Sequence, residues 1–331
     1  MMNSIILTLK FIGRNFGKLG LVVFAIGAFF ILLFPLGDLS DFVSTKVLQN
    51  TRNSVYVQFK DLSFNPATMT LKLEDVEIDS PVAQEMKVGV LTASPSIIDL
   101  ISKKPSGTIV AESFLGGTTR LEIKSQNAFT ESPMVSNVSL SMDQVSLEDI
   151  HKLLQTSVAL SGQLQVQTQV SVELENVAPA DQPPQFALKG FQDGDLLISI
   201  KKFKMPATTI TVPQMGRLGL PLVELNNVEL KAKMQQGKIT IESGKFGSPS
   251  DEMFGTIKGD LSIVNPIPPG LPLQMMFQSY NITLEITAKQ AFKERAALFL
   301  AFLKEVDKDP SGLSRYQQTF SYSGMGLPPN R

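Results

Sequence analysis

The most constraining feature of this sequence is an alternation of apolar and polar residues that returns at every second position through most of the chain. The clearest run is residues 163–174, QLQVQTQVSVEL, in which the even-numbered positions are mostly valine or leucine and the odd-numbered ones mostly glutamine. Successive side chains of a strand point to opposite faces of a sheet, so this period of two predicts strands with one apolar and one polar face. The positions that we expect to line the apolar face, and a groove if there is one, include Leu164, Val166, Val170, Val172, Leu261, Ile263, Ile282 and Leu284.

The alternation predicts a mainly β fold. We expect an elongated and curved antiparallel sheet, a half-barrel or groove, although the alternation alone also fits a closed sandwich. Clusters of turn-forming residues at 192–195 and 235–238 predict hairpin turns. Helical patterns are few: a short apolar turn at 96–102, a capping box at 146–155 and an amphipathic stretch at 288–304. So few helices cannot cover so many strands. The sheet therefore either folds on itself as a sandwich or curls into a trough whose apolar lining holds acyl chains.

A continuous apolar run at residues 19–37 carries no charged side chain and matches the roughly 20 residues that cross a hydrocarbon core of about 30 Å. Lys10, Arg14 and Lys18 precede the run and Asp38 follows it, so the positive-inside tendency places residues 1–18 in the cytoplasm and the body outside it. A cleaved signal peptide is the alternative, but the run is longer than the apolar region of such a peptide. We predict one transmembrane signal anchor, which includes Leu19, Phe24, Phe30 and Leu36.

The body after the anchor divides into two similar units. We expect a linker at 38–54, a first β unit at 55–176, a second linker at 177–195 and a second β unit at 196–331. Residues 71–78, LKLEDVEI, return as residues 223–230, VELNNVEL, and residues 107–113 return as 237–243. In the first pair, two polar residues interrupt the alternation at the same place, which predicts a β-bulge in each unit. The shared order of patterns indicates an internal duplication.

Residues that carry chemistry are sparse. The chain has no cysteine and one histidine, His151, which excludes disulfides and thiolate metal sites and leaves little basis for a proton relay. No phosphate-binding loop, serine-hydrolase elbow, zinc-protease or EF-hand motif occurs. We interpret His151 as an ordinary histidine at the flank of a helix, the carboxylates at 193, 195, 251 and 252 as solvated turn residues, and the lysines at 201, 202 and 204 as a charged strand end. The prediction is no enzyme, no cofactor and no metal.

Four stretches of the chain together carry a resemblance to a known family. They are the anchor followed by residues 55–78, residues 97–117, residues 220–264 and the SYSGMGLPP sequence at 321–329. These stretches resemble the type II secretion system protein N (GspN) family, whose members have a short N-terminal anchor and a long periplasmic β domain. The resemblance implies a single-pass protein of the bacterial inner membrane with its body in the periplasm and without enzymatic activity, and it supplies no catalytic residues.

Two functions follow from the resemblance. The first is a β scaffold of a type II secretion system that takes part in protein transport by docking other subunits. The second comes from a similarity to the broader AsmA-like group, whose β-sheet grooves bind lipid acyl chains, and is a lipid-binding or lipid-transport function. The expected partners are the membrane, other secretion-system subunits and phospholipid. A net charge of −1 gives no field that would draw the chain to nucleic acid.

Overall fold

One antiparallel sheet of 15 strands dominates the computed structural model of the chain. The structure describes residues 39–50, 55–80, 85–128, 131, 133–156, 158–177, 186–212, 216–264, 277–306, 308 and 311–323. Almost every strand of the sheet pairs with its neighbours in the sequence, in the order β1-β3-β4-β5-β6-β7-β8-β9-β12-β13-β14-β15-β17-β16, and β2 also pairs with β3. The chain is therefore mainly β, as the alternation predicted.

The strands of the sheet are long for a globular protein. Their bounds are β1 Tyr56–Gln58, β2 Asp61–Asn65, β3 Thr70–Asp79, β4 Met86–Pro95, β5 Ser106–Phe114, β6 Gly117–Ser125, β7 Met134–Ser146, β8 Ser161–Asn176, β9 Phe186–Met205, β12 Val223–Gln235, β13 Lys238–Phe246, β14 Met253–Ile263, β15 Phe277–Ala288, β16 Lys304–Val306 and β17 Ser314–Ser323. A separate hairpin, β10 Thr208–Val212 with β11 Gly216–Leu220, lies between β9 and β12.

The described part of the chain contains five short helices, which lie at the ends of the sheet. They are α1 Leu39–Asn50, α2 Ile97–Ile101, α3 Leu147–Leu154, α4 Gln290–Arg295 and α5 Ala297–Leu300. Because neighbouring strands run in opposite directions, α2 and the turn between β12 and β13 lie at one end of the strands, which we call the α2 end. The opposite end, the α3 end, carries α3, the β10–β11 hairpin and α4–α5.

Helices cover the two lateral ends of the sheet and form a small core at each. Val43 and Val47 of α1 pack against a buried cluster that includes Val57, Leu73 and Val76. The other lateral end buries ten residues beneath and within α4–α5, namely Val223, Leu225, Phe246, Met253, Ile286, Ala288, Phe292, Ala296, Leu300 and Tyr316. Phe292 is almost wholly inaccessible to solvent. Both cores lie in the half of the strands nearer the α3 end.

A line of backbone irregularities crosses β3 to β7 near the α3 end. Asp75, Ser113 and Gln144 adopt positive φ angles of 50°, 56° and 56°. On β4 and β6, between these three strands, the neighbouring residues are Gly89 and Gly117, where a side chain would meet the bulged residue of the next strand. At residues 74–75 the alternation is interrupted as expected, since Leu73 and Val76 both face the core and Asp75 has a positive φ angle. The register of β3 with β4 is unshifted there, and that of β12 with β9 is unshifted at residues 226–227, so neither predicted β-bulge inserts an extra residue. Register shifts accompany Ser113 and Gln144 instead. Such bulges bend a strand and increase its local twist.

Several details differ from the expectations. Residues 192–195 do not form a turn but lie inside β9, where Asp195 pairs with Gln169 and Gly194 with Val170. The expected linker at 177–195 is therefore shorter, since β9 begins at Phe186 and pairs with β8 across the proposed boundary. The stretch at 288–304 forms two short helices and then strand β16 rather than one long helix. The turn at 235–238 and the serine caps of α2 and α3 are confirmed, because Ser96 and Ser146 accept hydrogen bonds from the backbone N–H groups of Asp99 and Asp149.

Replacing Gly117 with alanine tests the line of bulges. A Cβ atom there would lie 2.3 Å from the carbonyl oxygen of Asp143, whereas a Cβ on Gly219 has nothing within 4 Å. We expect Gly117→Ala to lower the free energy of unfolding by about 2 kcal/mol, as overpacking does, and Gly219→Ala to change it by less than about 0.5 kcal/mol. Equal midpoints for the two variants in urea denaturation would contradict the close approach of β6 to β7.

Candidate functional site

Three consecutive rows of residues without a charged side chain cross one face of the sheet. The first row, traced through the strand register from β3 to β17, is Leu71, Ala93, Ile109, Leu121, Leu140, Thr168, Leu196, Ala232, Ile241, Gly259, Ile282 and Phe320. The row on its α2 side includes Ile123, Val138, Val170, Leu261 and Tyr280, and the row on its α3 side includes Leu91, Val166, Ile198, Leu230 and Leu284. We call this surface the apolar face.

No described element forms a second layer over the middle of the apolar face. Side chains there, from β4 to β15, are mostly only partly buried, although each has neighbours on both sides within the sheet. The exposed fraction reaches 41% for Ile109, 37% for Tyr280 and 47% for Phe320, which all lie in the half nearer the α2 end. A strand residue beneath a packed helix is far less accessible, as Val76 shows at 0%. In the described part of the chain, the apolar face is therefore closed at its lateral ends by α1 and, near the α3 end, by α4–α5, and it is open between them.

A concave apolar pocket lies on this face at the α2 end. It has a volume of about 360 Å³ and is lined by Ala93, Pro95, Leu100, Gly107, Ile109, Leu121, Ile123 and a few neighbouring residues. Leu100 comes from α2 and the others from β4, β5 and β6. The helix is held over the strand ends because the Ser96 N–H donates to the carbonyl of Ser106 at 2.9 Å and closes the base of the connection. The pocket thus has the apolar walls that a hydrocarbon chain requires.

The opposite face is polar, and several of its charges form ion pairs. Lys233 contacts Glu242 at 2.8 Å, and Lys72 contacts Glu74 at 2.5 Å. Hydrogen bonding to its glutamate partner raises the pKa of each lysine above its usual value, and the bond from Lys72 lowers the pKa of Glu74. These groups are solvent-exposed, so each pair contributes little to the stability of the fold. Their charges keep this face of the sheet hydrated.

A shallow depression of about 500 Å³ lies on this polar face. Its charged lining consists of Arg120, Glu122, Asp195, Lys231 and Glu242. Three carboxylates and two cations are mixed there, so the depression has no single charge that would select an anion or a cation.

The eight residues predicted to line a groove all lie on the apolar face. Val172 is buried, while Leu164, Val166, Val170, Leu261, Ile263, Ile282 and Leu284 are partly buried. The strand register brings the two halves of this set onto one continuous surface, since β8 and β14 are separated by β9, β12 and β13. Their contact with a ligand stays a prediction. The anchor residues Leu19, Phe24, Phe30 and Leu36 lie outside the described residues.

His151, Asp251 and Glu252 each form a polar contact with a neighbouring residue of the structure. His151 Nδ1 forms a hydrogen bond of 2.7 Å with Thr156 Oγ1 at the end of α3. Asp251 accepts hydrogen bonds from the N–H of Ser248 at 2.9 Å and from Asn226 Nδ2 at 2.5 Å, and Glu252 pairs with Arg295 of α4. That pair lowers the pKa of Glu252.

The lysines at 201, 202 and 204 lie on β9, and Lys204 contacts Glu224 at 2.7 Å. Asp193 and Asp195 are exposed residues of the same strand.

Comparisons with known proteins add nothing to this description, because no family model, curated protein or solved structure matches the chain. Within the described residues, no cluster of His, Cys, Asp and Glu is arranged to hold a metal ion. The same residues contain no helix both long and apolar enough to cross a membrane, and the predicted anchor at 19–37 is not among them.

Sequence reasoning missed the pocket beneath α2. The stretch at 96–102 was interpreted only as a short apolar turn. The available signal was its composition, since a helix of five residues that contains four isoleucines or leucines has too few positions to bury them all against one sheet. Such a segment either exposes apolar side chains or has an apolar partner.

Matched substitutions on covered and uncovered parts of the apolar face test its openness. Val76→Asp places a carboxylate in a closed core, and we expect the variant to be unfolded, because an unpaired buried charge costs several kcal/mol. Val170→Asp places the same carboxylate on a partly buried surface. We expect this variant to keep its β-sheet circular dichroism and to lose only a few degrees of melting temperature. If Val170→Asp unfolds as completely as Val76→Asp, the middle of the apolar face is a closed core.

Proposed function

We propose that the protein binds lipid acyl chains on the apolar face of its sheet and acts without catalysis as a lipid-binding or lipid-transport protein. The observation that carries the proposal is the set of three uncharged rows that cross the sheet and that no described element covers between the lateral helices. Monomeric soluble proteins seldom expose contiguous apolar patches of this size. Lipid is the occupant with matching chemistry, because its hydrocarbon chain needs apolar contacts and no hydrogen bonds.

The dimensions of the apolar face suit long chains. Neighbouring strands lie about 4.8 Å apart, so eleven such steps extend for about 50 Å along the sheet. Removal of apolar surface from water stabilises a complex by roughly 25 cal/mol per Å². A chain lying across several strands would therefore gain affinity from each strand it crosses, without any specific polar contact. The pocket beneath α2 offers the most concave apolar part of this surface.

The finer shape that we propose for the sheet is a curved groove built from two related units. The line of irregularities across β3–β7, with β-bulges at Ser113 and Gln144, supports a bend. The parallel order of elements supports a duplication: α3 follows β7 and precedes β8, and α4–α5 follow β15 and come before β17. We further propose that residues 19–37 anchor the chain in the bacterial inner membrane, with the N-terminus in the cytoplasm and the sheet in the periplasm.

Lipid extraction tests the proposed function. We expect phospholipid to co-purify with the full chain and to be detected by mass spectrometry. We also expect Ile198→Asp and Val170→Asp, which charge the two outer rows of the three, to lower that amount at least fivefold. Both variants should remain folded, because the two side chains are only partly buried.

Gln167→Glu is the matched control for this experiment, because it adds the same charge to the opposite face of the same sheet. Gln165→Glu is unsuitable, since Gln165 donates a hydrogen bond to Asp143 at 2.6 Å and a glutamate would place two carboxylates together. Equal lipid content in Ile198→Asp and Gln167→Glu would contradict binding on the apolar face.

A second candidate function is the docking of other secretion-system subunits on a β scaffold. The observation that favours it is the outer edge of β17. Strand β16 pairs only with residues 315–317 of β17, and no described strand pairs with residues 318–321 on that side. An open strand edge is a template for strand addition by another chain.

Edge lysines test this docking. We expect Thr319→Lys combined with Ser321→Lys to hinder strand addition and to lower type II secretion by the source bacterium at least tenfold while the protein stays folded. Gln167→Lys adds a charge on the same polar face away from the edge and should leave secretion unchanged. Normal secretion with the edge lysines present would contradict docking at β17.

A further inference from the structure

The connection between β4 and β5 carries the most exposed pair of aliphatic side chains in the described part of the chain. Ile98 and Ile101 of α2 are each 79% exposed. They are three residues apart, so they lie on the same side of this short helix. Leu100 of the same helix points elsewhere, since it lines the apolar pocket over β4–β6. The helix thus presents one apolar side to the sheet and another to solvent.

The exposed position of these isoleucines is fixed by the local backbone. Ser96 accepts a hydrogen bond from the Asp99 N–H at 3.4 Å, and the Ser102 hydroxyl donates to the carbonyl of Ile98 at 3.1 Å. The Lys104 N–H donates to the carbonyl of Asp99 at 2.7 Å. A connection closed by these bonds holds Ile98 and Ile101 in water instead of allowing them to fold back onto the pocket. The exposure of Ile98 and Ile101 therefore follows from the hydrogen bonds that fix this connection.

The charges around α2 are mainly positive. Lys103 is exposed and Lys104 partly so, and Lys124, also exposed, lies near the α2 end of β6, opposite Ser106. Asp99 is the acidic residue of the connection. Exposed aliphatic side chains beside lysines match the interface of an anionic bilayer, where the apolar groups enter the acyl region and the ammonium groups meet headgroup phosphates.

We propose that α2 is a membrane-insertion tip, in which Ile98 and Ile101 enter an anionic bilayer surface and Lys103 and Lys104 contact its headgroups. This contact is separate from acyl-chain binding on the apolar face and does not depend on it. The tip lies at the α2 end, where the apolar face is most exposed, so a bilayer bound there would adjoin the pocket that Leu100 lines.

A fluorescent label reports on the insertion directly. The chain has no cysteine, so Ile98→Cys carries a single environment-sensitive dye, and Gln167→Cys on the polar face is the matched control. The full chain is reconstituted in vesicles of phosphatidylcholine with phosphatidylglycerol, with protein-free vesicles of the same composition added. Brominated lipid in all vesicles quenches a dye that enters any bilayer. We expect the dye at 98 to shift to the blue and to be quenched at least threefold more than the dye at 167.

The charge dependence separates insertion from other contacts. Vesicles of phosphatidylcholine alone, and the variant with Lys103→Gln and Lys104→Gln, should each lower the quenching of the dye at 98 severalfold. Equal quenching at 98 and 167 would overturn the proposal. A blue shift at 98 without quenching, which grows with protein concentration, would also overturn it, because it would identify a second copy of the chain as the occupant. Quenching that is unchanged without phosphatidylglycerol would overturn the role of the two lysines.

Discussion

The backbone hydrogen-bond ladder between neighbouring strands is the interaction on which the rest of this structure depends. In the middle of the sheet, the described chain offers no second layer, so each strand is held by its two neighbours and by side-chain pairs within each face. A cross-strand pair contributes roughly 0.2–1 kcal/mol, and long strands supply many of them. Strand β8 pairs along almost its whole length with both β7 and β9. In the middle of this sheet, long strand pairing thus provides the stability that a second packed layer provides in other folds.

This arrangement makes the register of each strand unusually important. A slip by one residue would move the glutamines of β8 onto the apolar face and Leu164, Val166 and Val170 onto the polar face. Paired charges penalise the same slip, since Lys233 would lose Glu242. The bulges add a third constraint. The residue opposite a bulge must be small, and Gly89 and Gly117 occupy such positions beside Ser113 and Gln144, so these strands fit together in one alignment.

Much of the fold could be predicted because the alternation depends on local sequence alone. It identified the apolar side of β8, β14 and β15 and the irregularity at residues 74–75. The prediction was wrong where one residue type occurs in two structural settings, as glycine does in turns and at close approaches between strands. Gln192 to Asp195 has the composition of a turn, yet a Cβ on Gly194 would lie 2.8 Å from the carbonyl oxygen of Gln169. The glycine is needed there for close strand approach, and that requirement depends on a partner about 25 residues away along the chain.

The candidate site was only partly predictable for a related reason. Which side chains share a face follows from the period of two, but whether that face is covered depends on where distant helices pack. The described helices that form cores cover the lateral ends of the sheet, and both cores lie in the half nearer the α3 end. The accessible apolar surface is thereby displaced toward the α2 end, where Ile109, Tyr280 and Phe320 are exposed. An apolar ligand would meet the least obstructed part of the face there, beside helix α2, which exposes Ile98 and Ile101 to water.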